Sequence, residues 1–412
     1  MEREYKDSGI EWIGTIPETW EVTKLLNVLK SPISDGPHET PSLVENGIPF
    51  ISVDSLNDSD KVDLSVVRKF ISYQDYQEYS KKSKIEKGDI LFSKAATIGK
   101  TAIVGDETFM VWSPLAIIKT NNNRVNNKFI YHVLNCHRLI SYISFLGTYN
   151  TQINVGMRAL ERAIIPLPPL SNQHRIADYL DEKCGEIDSL IALQEQIIEK
   201  LKAYKQSVIT EAVTKGLDPN AKLVPSGIDW IGEIPEGWKV CRIKDLVIMK
   251  SGSNLTSEQI ANEGSYPVYG GNGLRGYYEA YSNEGDYVLV GRQGALCGNI
   301  NYAFGRFWAT DHAVVCYPRR NFSLIWFGET LRSMNLGQYS LSAAQPGLSV
   351  DRIREKKMPL PPLSEQQTIA SYLDEKCADI DRLIALKQQK IETLKDYKKS
   401  VIYEAVTGKT FL

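Results

Sequence analysis

Apolar residues recur every seven positions in two long stretches of this 412-residue chain. In the first, Leu180, Ile187, Leu201 and Val208 form one series, and Ala177, Cys184, Ile191, Ile198 and Ala212 the other. In the second, Leu373, Ile380, Leu394 and Val401 accompany Ala370, Cys377, Ile384, Ile391 and Ala405. This spacing predicts coiled-coil helices over about five heptads. Polar residues interrupt both seams at the same places, Gln194 and Lys387, then Lys205 and Lys398, where they would help to fix register. Each run begins after Pro-Pro-Leu; Ser171 and Ser364 are the predicted N-caps, and Ser364-Glu-Gln-Gln367 fits a capping box. A helix of about 40 residues at ~1.5 Å per residue is a rod of roughly 60 Å. Its apolar seam needs a partner in water, and the other copy in the same chain is the nearest.

Between these runs the pattern shortens to strands. Ile48-Pro-Phe-Ile-Ser-Val53, Asp89-Ile-Leu-Phe-Ser93 and Thr101-Ala-Ile-Val104 read as strands in the first half. A polar turn, Asn121-Asn-Asn-Arg-Val-Asn-Asn127, precedes a predicted helix over residues 128–144. In the second half Tyr287-Val-Leu-Val290 and Ala313-Val-Val-Cys316 read as buried strands.

The chain repeats itself. Residues 166–214 and 359–407 agree at 35 of 49 positions without a gap, an offset of 193. Gly9-Ile-Glu-Trp-Ile-Gly-Thr-Ile-Pro-Glu-Thr-Trp20 returns as Gly227-Ile-Asp-Trp-Ile-Gly-Glu-Ile-Pro-Glu-Gly-Trp238, at an offset of 218. The order is therefore module, helix, module, helix, with little shared text inside the modules, which suits a shared frame with interchangeable contents. Halves related by a pseudo-two-fold would make the helix pair antiparallel. Trp12, Trp20, Trp230 and Trp238 read as packing anchors around tight turns.

Composition adds bounds. A net charge of −2 makes any nucleic-acid reading rest on local patches. The charged start leads into no apolar run and no stretch reaches membrane-spanning length, so a cytoplasmic protein without membrane contact is expected. The six cysteines lack Cys-x-x-Cys spacing, in keeping with a reducing compartment, and Cys184 and Cys377 read as small buried hydrophobes.

No catalytic or metal-binding pattern emerges. Lys94-Ala-Ala-Thr-Ile-Gly-Lys-Thr101 lacks the first glycine of a phosphate loop, and Gly408-Lys-Thr410 has Tyr403 in that place. The five histidines have no ligand spacing. What remains is a set of glycine-rich loops with polar and basic tips: His38 and Thr40; Lys94 and Lys100; Asn150 and Gln152; Asn272 and Arg275; Arg292 and Gln293. Arg, Asn and Gln can read base edges, and Lys and Thr can reach phosphates. Each has a plainer alternative: an arginine between glycines also suits a surface turn, His38 a structural loop position, and His312 a bond to Asp311.

With the two repeats and these loops in place, the chain resembles the specificity subunits of type I restriction–modification systems. The resemblance rests on Gly-Ile-x-Trp-Ile-Gly-x-Ile-Pro-x-x-Trp opening each half and Pro-Leu-Pro-Pro-Leu-Ser-x-Gln-x-x-Ile-Ala-x-Tyr-Leu-Asp closing each module. Asp35-Gly-Pro-His-Glu-Thr-Pro41, Tyr266-Pro-Val-Tyr-Gly-Gly-Asn-Gly273, Ala309-Thr-Asp-His-Ala313 and Gln345-Pro-Gly-Leu-Ser349 also look like its motifs, adding Gln345 to the candidate DNA contacts. It implies an α+β fold: two mixed α/β target recognition domains, residues 1–165 and 218–358, joined by helical regions 166–217 and 359–412 that form an antiparallel, pseudo-two-fold coiled coil. It further implies a non-catalytic subunit. Each domain would read half of a bipartite site on double-stranded DNA, and the helices would set the spacing and dock two methyltransferase subunits. Restriction (translocase) subunits would join the full complex. S-adenosylmethionine, Mg2+ and ATP would belong to the partners, with no cofactor here. Tyr179, Asp181, Glu182, Tyr372, Asp374 and Glu375, identical in the two helices, become candidate contacts for the methyltransferase subunits. The rival readings are a coiled-coil adaptor that binds protein and reads no DNA, and a self-contained nuclease or methyltransferase, against which the missing motifs count.

Overall fold

The computed structural model describes residues 4–57, 60–95, 97–145, 148–149, 153–294, 296–340 and 347–412. It divides into two compact units, residues 1–194 with 389–412 and residues 195–388. Each unit takes half of each long helix.

In the first unit the central sheet runs Ser34–Asp35, Leu115–Ile118, Ile90–Ser93, Thr101–Ile103, all antiparallel. Its two middle strands are buried on both faces, and their period of two divides them between two cores. Ile90, Phe92, Ala116 and Ile118 join the helix-side core, whereas Leu91, Leu115 and Ile117 join the other. A second sheet orders Met110–Val111, Ile48–Ile51, Phe70–Ile71 and Leu43–Val44, with its first pair parallel.

The second unit repeats this arrangement despite its different text. Its central sheet runs Val247–Ser251, Ala313–Pro318, Tyr287–Gly291, Ile300–Ala303, again antiparallel. Its other sheet contains the parallel pair Tyr266–Gly270 and Arg306–Ala309. Val288, Val290, Val314 and Cys316 face the helix-side core, and Leu289 and Val315 the other. The shared frame inferred from the repeats is thus a shared strand order.

The heptad runs are helices Leu170–Lys215 and Leu363–Val406. In the first unit Ala177, Leu180 and Cys184 pack in one core with Val401, Ile402 and Ala405, and Asp188 Oδ1 accepts from Lys398 Nζ at 2.7 Å. In the second unit Val208, Ile209 and Ala212 share a core with Ile369 and Leu373, and Asp381 Oδ2 accepts from Lys205 Nζ at 2.7 Å. Within each unit one helix therefore runs opposite to the other. Asp381 stands 193 residues after Asp188, as Lys398 does after Lys205, so the two ion pairs are copies of one pair.

Two expectations need correction. Ser171 and Ser364 lie inside the first turn, because the helices begin at Leu170 and Leu363. The carbonyl of Pro169 already accepts from Gln173 N at 3.0 Å, and that of Pro362 from Gln366 N at 3.0 Å. The helix expected over 128–144 is two, Asn127–Leu134 and His137–Phe145. Asn135 separates them; its side-chain amide donates to Tyr131 O at 3.0 Å and so competes with the helical ladder.

The tryptophan motifs form small hairpins, Tyr5–Asp7 with Thr15–Pro17 and Leu223–Pro225 with Glu233–Pro235. Trp12, Trp20 and Trp238 are buried and Trp230 is half-buried. Trp12 Nε1 donates to Ile164 O at 3.1 Å, and Trp230 Nε1 to Lys357 O at 3.4 Å. In the first unit the hairpin meets the helix end: Tyr5 donates to Gly408 O at 3.1 Å and Lys409 Nζ to Ile13 O at 2.8 Å. The Gly408-Lys-Thr410 triplet is therefore a helix terminus holding the hairpin.

Candidate nucleic-acid interface

Lys94 and Arg292 each follow directly on a strand of their unit's central sheet, Ile90–Ser93 and Tyr287–Gly291. Their backbones make matching hydrogen bonds. Lys94 N donates to Pro114 O at 2.9 Å, and Lys94 O accepts from Val155 N at 2.9 Å. In the second unit Arg292 N donates to His312 O at 2.8 Å, and Arg292 O accepts from Leu348 N at 2.9 Å. Trp112 N donates to Ile51 O and Thr310 N to Tyr269 O, both at 2.9 Å. Lys94 and Arg292 thus occupy one position of a common frame.

Close backbone approach explains the glycines. A Cβ on Gly36 would lie 1.9 Å from Val111 O, and one on Gly252 2.1 Å from Ala309 O. Only a residue without a side chain lets these strand ends cross so tightly. Just before each glycine stands the residue that faces the shared cation. In the first unit it is Asp35, whose Oδ2 lies 3.1 Å from Lys94 Nζ and 3.3 Å from His38 Nε2. In the second it is Ser251, whose hydroxyl accepts from Arg292 at 3.1 Å.

His38 and Thr40 are exposed. Lys94 is buried, and Lys100, half-buried, lies just before the strand Thr101–Ile103 in the connection from Ile90–Ser93, its N–H donating to Ser93 Oγ at 2.8 Å. Because a strand follows that connection where a phosphate loop needs a helix, the partial Lys94–Thr101 resemblance has no phosphate-loop geometry. Asn272 is exposed and accepts from Asn299 at 3.0 Å. Exposed Arg275 lies across Gly270 and donates to Ser257 at 3.3 Å. Gln293 is exposed and forms a bridge with Gly347. His312 Nε2 is 3.9 Å from Asp311 Oδ1, beyond hydrogen-bond length. Asn150, Gln152 and Gln345 lie outside the described residues. Sequence reading passed over Trp112, on which exposed Lys69 rests at 4.7 Å from the ring centre. It also passed over Asp35 and Ser251 as partners of the cations, 59 and 41 residues away in the chain with no local signal.

The helix candidates are treated differently in the two units. Asp181 accepts from His132 Nε2 at 2.8 Å and from Lys128, both on the helix Asn127–Leu134. Partial burial opposes its charge, yet the hydrogen bonds and charges of His132 and Lys128 hold the carboxyl below its ordinary pKa. Asp374, its copy, is exposed, as are Glu182 and Glu375, while Tyr179 and Tyr372 pack against the cores. One joint is the same in both. Gln173 Oε1 accepts from Asn126 N at 2.8 Å and its amide donates to Pro168 O at 2.8 Å. Gln366 does likewise with Ser323 N at 3.0 Å and Pro361 O at 2.9 Å. Asn126 and Ser323 are the N-caps of the modules' helices Asn127–Leu134 and Leu324–Ser333, so each glutamine pins a module to the start of a long helix.

Burial pushes the Cys184 thiol up to about 11 and the Cys316 thiol to about 12. No cluster of metal-ligand side chains occurs among the described residues, and none of their helices is long and apolar enough to cross a membrane.

Residues 17–203 and 235–396 match the family model described as the type I restriction modification DNA specificity domain. The EcoprrI type I restriction enzyme specificity subunit of Escherichia coli is 27% identical over 301 residues, covering 69% of this chain and 70% of that protein. A putative MjaX specificity subunit of Methanocaldococcus jannaschii is 27% identical over 427 aligned positions, covering 96% and 95%. Among solved structures, a chain from work on complex assembly and conformational transition of the type I R-M system superposes with a TM-score of 0.71 at 16% identity, covering 96% of this chain and 99% of its own.

Proposed function

Since the chain belongs to the type I restriction modification DNA specificity family, we infer that its two units are the readers of a bipartite DNA site. The chain is the DNA sequence-recognition subunit of a restriction–modification complex and is not itself an enzyme; methyl transfer, ATP-driven translocation and cleavage belong to its methyltransferase and restriction partners. The observation that carries the finer reading is the common frame: one strand order carrying different loops in the two units. A shared frame with different tips is what reading two unlike half-sites requires.

Functional boundaries lie at 1–165, 166–217, 218–358 and 359–412. The modules read through His38, Thr40, Lys100, Asn272, Arg275, Arg292 and Gln293, and the sequence adds Asn150, Gln152 and Gln345 to these candidates. The antiparallel helices set the spacing of the half-sites, for which the ~34–36 Å repeat of B-DNA is the natural unit. Two copies of one helix offer two copies of one docking face, matched to two methyltransferase subunits. The exposed duplicates Glu182 and Glu375 suit that role, with Tyr179, Tyr372 and Asp374 beside them, while Asp181 is occupied by its own module. The place of action is the cytoplasm, where the DNA is.

The test is protection of DNA by the chain assembled with its cognate methyltransferase subunits. A footprint of two short specific tracts separated by a nonspecific spacer is the expected result. No footprint in that complex would favour the adaptor reading.

A further inference from the structure

Given that the two units read DNA, the equivalence of Lys94 and Arg292 separates the roles of these two cations. They share backbone partners but not side-chain partners. Lys94 has 9% of its side chain exposed and lies 3.1 Å from a carboxylate only 10% exposed. A buried lysine paired with a buried carboxylate presents little net charge to a phosphate. The same carboxylate reaches His38 at 3.3 Å, and the imidazole is 74% exposed. The partially exposed Arg292, in contrast, meets a neutral hydroxyl: one guanidinium nitrogen donates to Ser251. Its other donors have no partner among the described residues. Around it converge Gly271, whose added Cβ would lie 3.2 Å from both Gln293 O and His312 O, and Gly291, whose Cβ would lie 2.1 Å from Gly271 O. These glycines let the neighbouring backbone segments pack closely beside the arginine.

We propose that Arg292 is a direct base reader in the second unit, steadied by Ser251, whereas Lys94 is a positioning residue in the first, holding Asp35 against His38 without contacting DNA. A guanidinium fixed on one edge presents a fork of donors on the other. Two adjacent acceptors on one base fit that fork, and in the major groove these are O6 and N7 of guanine. Arg292 therefore selects a G·C pair in the half-site read by the second unit. His38, carried by the Asp35–Lys94 pair, supplies the corresponding contact in the first.

The complex with its methyltransferase subunits is challenged with DNA randomised over the site, and selected sequences are counted across a salt series. Arg292→Lys is expected to lower discrimination about 10–100-fold at one G·C pair and leave the other half-site unchanged. Ser251→Ala is expected to weaken the same position. Because Lys94→Met alone would strand a buried carboxylate, it is made together with Asp35→Asn. This double variant is expected to blur the first half-site while the slope of log affinity against log salt stays constant; a phosphate contact by Lys94 would lower that slope by about 0.9. An unchanged sequence profile for Arg292→Lys, or a change in the first half-site, overturns the reader assignment. A fall in slope for the double variant overturns the positioning role. Loss of sequence preference in the unvaried complex would instead sink the underlying DNA-reading function.

Discussion

At the scale of single residues, two buried glutamines do more for this chain than their polar type suggests. Gln173 and Gln366 each satisfy a backbone N–H at a helix start and a proline carbonyl. Replacing either with alanine strands those groups and is expected to cost about 1–3 kcal/mol, measured by urea denaturation. Similar costs at the two sites are expected because the bonds are copies; a cost near zero at either would mean that water replaces the glutamine. Asp181 gives a pH test. Its folded pKa is depressed, so its contribution is complete above the ordinary carboxylate value of about 3.9 and is lost as pH falls through the lower folded value. Acid unfolding profiles of the wild type and Asp181→Asn should therefore converge at low pH; a pH-independent gap would contradict the pairing. Both glutamines stand in the repeated text, but their partners, Asn126 and Ser323, lie in modules with little shared sequence. The repeat made the glutamines visible and gave no hint of the bonds they make.

At the scale of elements, the heptad pattern was the most legible feature. Of the predicted seam residues, Leu180, Ile187, Ile198, Val208, Leu373, Ile380, Ile391 and Val401 are buried. Two of the lysines expected to interrupt the seam and help fix its register find acidic partners across it, Lys205 with Asp381 and Lys398 with Asp188. Their carboxylates are 58% and 45% exposed, so each pair is expected to couple by about 0.2–1 kcal/mol in a double-mutant cycle. Equal coupling at the two ends would reflect their identical geometry, whereas unequal values would show that the modules alter the local screening. The strands were partly legible, since Ile90–Ser93, Tyr287–Gly291 and Ala313–Pro318 appear as short apolar runs. The common strand order of the modules was not, because backbone hydrogen bonds and glycine approaches enforce it while side chains vary. The paired candidates were hidden for the same reason: Asp35 and Lys94 come together only when the sheet sets Leu115–Ile118 between the strands Ser34–Asp35 and Ile90–Ser93.

At the scale of the whole molecule, two copies of a frame with different loops make specificity modular. The structure also locates where a module can be cut. Leu25 N donates to Ala163 O at 2.9 Å, just inside the strand pair Glu21–Lys24 and Ile164–Leu167. The segment 25–163 therefore leaves and returns at one point, keeping the tryptophan hairpin outside it and carrying only the Asn126 side of the joint with Gln173. The most direct measurement is to replace residues 25–163 with the matching segment of a related specificity subunit and sequence the methylated sites in a host carrying the rest of the system. One half of the recognised sequence should change, while the other half and the spacer stay as they were. A change in both halves, or in neither, would contradict the assignment of one unit to one half-site.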